Sequence, residues 1–280
     1  MDPGSNSHGL SELGILYIMN PLKEAVMRLF LRMVMLAATV AFLGTDFSYS
    51  VQPASSAPTK DETEAAAALT RLGVPLQRDS HGVVRWIEAV SGEMSDEAMR
   101  YLAGLPQLEW LEVGGGNITR PGIANLKNCP SLRRLYVHDI DLSGDSLAWL
   151  SNLKNLEALS LQRTGIDGTV LKNLNAPDLA VLNLSGDKIG SNDMDLIAPM
   201  KGLEVLGLAD TKVTGDGIAK LEGMPRLNEL NLMNCEILDT DLEQFLTMPN
   251  LRIVYAAGCN LSDMGVQSVI SRFPMLAIFR

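Results

Sequence analysis

The residues able to do chemistry in this chain are few and scattered. There are three histidines, His8, His81 and His138, and none has a cysteine or second histidine at metal-ligand spacing. No GxSxG elbow, HExxH helix or GxxxxGK[ST] phosphate loop occurs. Gly114-Gly115-Gly116 is glycine-rich, but it lies where a strand must turn, and a turn needing positive φ accounts for it better than a phosphate. Glu109 and Glu112 form an acid pair without any inferable pocket for acid–base work. No catalytic residue, cofactor or metal is therefore expected, and the chain is read as a non-enzyme.

What does cluster is a set of residues suited to recognition. Trp86, Trp110 and Arg134 recur at a fixed interval, with Tyr136 beside Arg134 and with His138 and Arg163 at the margin. Exposed Trp, Tyr and Arg are the usual anchors of a protein interface. An arginine over a tryptophan face adds cation–π attraction. These six residues are the expected partner-binding site. The competing expectation is that an N-terminal helix folds over the rings and makes them core.

The elements that must position these residues follow from a repeat. Apolar residues open successive units at 84, 108, 132, 156, 179, 203, 227, 251 and 276, and one unit reads LEVLGLADTKVTGDGIAKLEGMPR. Numbered from its opening residue, each unit is apolar at positions 1 and 4. Position 6 is Ala89, Val113, Val137, Leu161, Leu184, Leu208, Leu232 or Ala256, and position 11 is apolar from Met94 to Leu261. The spacing then lengthens, as in Leu147 and Leu150 or Ile218 and Leu221. A change from period two to helical period marks a short strand followed by a short helix. One such unit cannot bury its own apolar face, so stacked units must share one core.

This pattern resembles the leucine-rich repeat, LxxLxLxx(N/C/T)xL, over residues 84–280. The second half of each unit, such as VTGDGIAKL, resembles the 24-residue subclass of bacterial exported proteins. The resemblance implies an α/β fold: a right-handed solenoid with a parallel concave sheet, short convex helices and an N-terminal helical cap. Strands about 4.8 Å apart would make the arc about 40 Å long. Strand positions 3 and 5 would face the concave side. Position 9 (Gly92, Gly116, Ile140, Thr164, Asp187, Thr211, Cys235, Cys259) would turn inward to satisfy loop backbone, a role that Thr and Cys fit and Gly and Ile do not. Asp96, Asp239 and Asp263 are expected as helix N-caps. Cys129 and Trp149 are expected in the core. Cys235 and Cys259 are either a ladder of small inward side chains or a disulfide.

Residues 1–18 read as a mis-annotated extension and 19–50 as a signal peptide. Lys23, Arg28 and Arg32 precede the apolar run MVMLAATVAFLG, and small residues follow at Ser48 and Ser50. Retention as an anchor is the alternative. Residues 51–60 read as a linker, and 61–83 as the cap, in which DETEAAAALTRL forms a helix and Val74 to Arg85 a strand. The chain carries net charge −10 and no basic run in the repeats, which argues against nucleic acid. The expected function is a protein-binding scaffold acting outside the cytoplasm, in the periplasm, cell envelope or medium. The alternatives are a cell-wall glycan-binding module and an intracellular substrate-recognition scaffold like those of ubiquitin ligases. A monomer is expected, with pairing at an apolar C-terminal edge around Phe273, Met275 and Phe279 as the other outcome.

Overall fold

The computed structural model describes residues 57–280. The expected extension, the expected signal peptide and most of the expected linker lie outside these residues. Ten strands form one sheet in chain order: β1 Leu76–Arg78, β2 Val84–Ala89, β3 Trp110–Gly114, β4 Arg134–His138, β5 Ala158–Ser160, β6 Val181–Asn183, β7 Val205–Gly207, β8 Glu229–Asn231, β9 Ile253–Tyr255 and β10 Ala277–Phe279. From β2 to β10 every pairing is parallel, and the units are in register position for position through β9. At β10 Ala277 faces Ile253 and Phe279 faces Tyr255, so counted from Leu276 the last strand is displaced by one residue and Phe279 turns away from the core. The fourth position of each unit points to one side along this ladder: Ile87, Leu111, Leu135, Leu159, Leu182, Leu206, Leu230 and Val254 are all fully buried. The expected solenoid is therefore the fold.

The N-terminal edge is closed by a hairpin and a helix. The segment from Val74 to Arg85, expected as one strand, instead turns back at Asp79–Gly82, so that β1 pairs antiparallel with β2. Positive φ at Gly82 and amide bonds from His81 and Val83 to the Asp79 carboxylate make that reversal. Helix α1, Lys60–Arg71, is started by a capping box between Thr59 and Glu62. It packs chiefly on the convex segments Asp96–Tyr101 and Leu102–Gly104 and also touches β1. Glu62 also accepts from Gln107 at 3.3 Å, and Arg85, 7% exposed, bridges Asp79 at 3.0 Å and Glu109 at 2.9 Å. The hairpin's acid is thereby tied to the second unit.

The convex side is less helical than expected. Short α turns alternate with 3-10 segments, including Ala148–Asn152, Gly168–Asn173 and Asp239–Thr247. The expected N-caps are also corrected. Ser95 and Ser262 cap, accepting from the amides of Ala98 and Gly265, and Asp96, Asp239 and Asp263 are the first helical residues. Asp96 instead reaches the next unit, accepting from the Thr119 amide at 2.7 Å and its hydroxyl at 2.5 Å. Asp239 does the same with Ser262, at 2.8 and 2.6 Å. Asp263 pairs with Arg280.

These reaching carboxylates explain the convex glycines. A side chain on Gly122 would collide with Asp96, and one on Gly265 with Asp239. Elsewhere the arrangement is reversed. Asp193 and Asp241 cap their own units and lie against Gly168 and Gly215 of the units before them. Each of these junctions thus holds one carboxylate and one glycine, because there is no room for two side chains.

The interior position 9 behaves as the repeat implies. The Thr164 and Thr211 hydroxyls donate to the Leu161 and Leu208 carbonyls at 2.7 and 2.6 Å. The Cys235 and Cys259 thiols are free and donate to the Leu208 and Leu232 carbonyls, so the small-side-chain ladder accounts for them. Cys129 and Trp149 are buried in the core.

Replacing Leu206 by Ala should cost about 2–5 kcal/mol through a core cavity, measured by urea unfolding. Gly265→Ala should cost about 1–3 kcal/mol by overpacking, and adding Asp239→Ala should recover part of that loss. If the double variant is less stable than Gly265→Ala by the full cost of removing Asp239 alone, the carboxylate–glycine fit is refuted.

Candidate functional site

Backbone alternation sends positions 3 and 5 of each strand to the face opposite the leucines. One column runs Trp86, Trp110, Arg134, Ala158, Val181, Val205, Glu229, Ile253 and Ala277. The other runs Glu88, Glu112, Tyr136, Ser160, Asn183, Gly207, Asn231, Tyr255 and Phe279. The sequence places all of Trp86, Trp110, Arg134 and Tyr136 on this wall, and there they are half-buried. Helix α1 lies on the other side, so it does not seal the rings.

The residues meet in a defined order. The Arg134 guanidinium carbon sits 5.3 Å from the centre of the Trp110 ring. Trp110 and Tyr136 lie 5.6 Å apart with their planes at 47°. Burial pushes the Tyr136 hydroxyl up to about 12, Arg134 acting against it and Glu112 with it, so the ring stays neutral and presents a largely apolar body. His138 closes the end of β4. Its Nε2 is 3.9 Å from Glu112 and its Nδ1 is 3.0 Å from Asp139.

His138 also supplies the reason for Gly114, which sequence reasoning assigned only to a turn. Gly115 and Gly116 do adopt positive φ, 61° and 71°. Gly114 is instead strand backbone that the His138 imidazole covers, and any Cβ there would overlap the ring.

Arg163, expected at the margin of the site, owes its place to a repeat position that sequence reasoning did not interpret. It is position 8 of its unit, one to three residues past the strand, where Gly115, Asp139, Arg163, Gly186, Asp210, Asn234 and Gly258 all have positive φ. The signal was in the sequence: Gly, Asp and Asn recur at that position, and these residues tolerate the left-handed region best. Register then stacks the position-8 side chains. Arg163 grips Asp139 with two bonds, 2.6 and 2.8 Å, and Asn234 donates to Asp210 at 2.7 Å. The Arg163 bond above all, with help from His138, holds Asp139 down to about 2 despite partial burial. Arg163 therefore forms the rim of the site through Asp139 and does not project alone.

The middle of the wall is largely closed. Ser160, Asn183, Asn231 and Glu229 are all under 10% exposed, because neighbouring strands and hydroxyl–amide bonds such as Ser185 to Asn183 at 2.7 Å close over them. Sequence reasoning missed Glu229, whose Oε1 is buried without a hydrogen-bond partner. Burial pushes this carboxyl up to about 7. Asp187 is likewise raised to about 7 by burial, against the opposing amides of Thr164 and Gly165. Among the described residues no group of three His, Cys, Asp or Glu side chains could hold a metal ion, and no helix is long and apolar enough to cross a membrane.

With this geometry in hand, the chain can be placed among known structures. No protein-family model matches it, and no curated protein does. Its structure is similar to internalin C2 of Listeria monocytogenes, at 21% identity over 79% of this chain and 92% of that one, with a TM-score of 0.52. It is also similar to a leucine-rich-repeat protein of Leptospira interrogans (24% identity, 65% of this chain and 45% of that one, TM-score 0.45). A third similarity is to the mouse RP105/MD-1 complex (18%, 64% and 35%, TM-score 0.49). The class is thus that of the leucine-rich repeat solenoids, and the particular chain is one whose wall carries Trp86, Trp110, Arg134 and Tyr136 on the first three repeat strands.

The raised Glu229 makes a prediction about pH. The folded chain keeps this proton up to about 7, whereas the unfolded chain releases it near 4.5. The stability it contributes is therefore full below 4.5 and lost as pH rises to about 7, after which it is flat. Glu229→Gln should be more stable than wild type by about 1–3 kcal/mol above neutrality, with a flatter profile of urea midpoint against pH. An unchanged profile would show that this carboxyl ionises freely.

Proposed function

We propose that this chain is a non-catalytic protein-binding scaffold that acts outside the cytoplasm through its concave wall. The observation that carries the reading is the half-buried cluster of Trp86, Trp110, Arg134 and Tyr136, held in register on three adjacent strands. Rigid aromatic anchors lose little entropy on binding, and a flat sheet holds them preformed. Arg134 is steadied over Trp110 and Asp139 is neutralised by Arg163, so a partner meets a wall whose side chains already have fixed positions. The basic, apolar N-terminal segment supports export, and the acidic charge of the chain argues against nucleic acid.

Proximity labelling from the exported protein in its host identifies the partner. Trp110→Ala and Arg134→Ala should then each weaken its binding by about 2 kcal/mol, roughly thirtyfold, while circular dichroism and melting stay as in wild type. If both variants bind as tightly as the parent, the concave aromatic site is wrong. Binding to a glycan array that depends on the same residues would move the ligand to polysaccharide, and fractionation of the tagged chain into the cytoplasm would overturn the export reading.

A further inference from the structure

Glu229 lies on the same column as the tryptophans but six strands further along from Trp86, at the opposite end of the wall. Leu230 beside it takes the core position, so Glu229 faces outward with the binding wall. It is only 7% exposed, yet Oε1 has no hydrogen-bond partner. The other buried acids among the described residues each accept at least one hydrogen bond, although Oδ2 of Asp187 is also unpartnered. Glu62 accepts from Thr59 and Gln107, and Asp187 accepts from the amides of Thr164 and Gly165. A carboxylate withdrawn from water without a donor costs the fold free energy that a Gln or Leu at the same place would not. Packing alone therefore gives no reason for an acid here.

The surroundings indicate what would satisfy it. In register on either side are Val205 and Ile253, and Asn231 is two residues along on the same strand. Tyr255 on the next strand is close enough for the Glu229 charge to raise its hydroxyl, though its own burial raises it more. The Tyr255 ring is stacked on Phe279 at 5.4 Å, which fixes its plane. Across β6 to β9 the outward positions hold no Lys or Arg: they are Val181, Asn183, Val205, Gly207, Glu229, Asn231, Ile253 and Tyr255. A positive charge for Glu229 on this wall must come from another molecule.

We propose that Glu229 and Tyr255 form a second concave binding site, which receives one Lys or Arg side chain of a protein partner. The cation would donate charge-assisted bonds to the carboxylate and lie near the face of a held aromatic ring. This inference rests on the reading that the concave wall meets a protein, and it adds the chemistry of one of that protein's side chains. An acidic chain, net −10, favours a partner of opposite charge at such a point.

The test uses side-chain mimics, so it does not depend on finding the partner. n-Butylguanidinium and n-butylammonium chloride are titrated into the full chain at about pH 8, where the carboxylate is ionised, with sodium chloride at matched ionic strength as control. The Tyr255 ring resonances, assigned with Tyr255→Phe, report binding. We expect a saturating shift with either mimic, no such shift in Glu229→Gln, and an unaltered shift in Trp110→Ala. Glu229→Gln should melt no lower than wild type, so a lost response is not lost folding. Three results overturn the site: no saturating shift, a shift retained in Glu229→Gln, or the same shift produced by sodium alone. Failure of the aromatic site would appear separately, as partner binding that survives Trp110→Ala and Arg134→Ala.

Discussion

Register between parallel strands is the constraint on which this molecule depends. The units differ in length by at most a residue or two, so from β2 to β9 position k of one unit lies against position k of the next. Interaction energies are therefore set column by column. At position 4 the column is leucine on leucine and shares one dry interior. At position 2 it becomes ion pairs, Arg85 with Glu109 and Arg133 with Glu157. At position 8 it becomes a run of left-handed residues whose side chains clasp, as Arg163 does Asp139. One geometric rule thus produces the core, the polar seams and the concave wall.

The same rule limits what each column can hold. Where a carboxylate reaches across the convex side, the opposing residue is glycine, and the roles swap from Asp96 and Gly122 to Gly168 and Asp193. On the sheet, Gly114 is bare because His138 lies over it. Stacked repeats bring backbones within about 5 Å, so where a side chain lies directly over the neighbouring backbone that neighbour has to be glycine. Recognition residues are subject to this too. Trp110, Tyr136 and Arg134 fit together because they alternate between columns and lean on one another across the strands.

The wall has two ends of different chemistry. At the N-terminal end, aromatic rings and guanidinium groups are half-exposed, and their charges are internally matched through His138, Asp139 and Arg163. Further along, many of the outward positions are small and closed, until Glu229 introduces a buried carboxyl whose Oε1 has no hydrogen-bond partner. A partner that spans the arc would therefore meet a preformed aromatic anchor first and an unmet electrostatic demand second.

Much of this was written in the sequence, because a repeat converts spacing into geometry. Apolar positions 1, 4, 6 and 11 determined the solenoid and its core, and the interval of Trp86, Trp110 and Arg134 determined that they share one column. What the sequence did not reveal were contacts between units, which have no local signature. The reach of Asp96 and Asp239 to the next turn, the hairpin that splits the stretch from Val74 to Arg85, the imidazole over Gly114 and the orphan oxygen of Glu229 depend on which side chain faces which across about 24 residues of chain. Periodicity fixes which positions face one another, but only the packed structure decides whether the facing groups find a donor, a charge or a void.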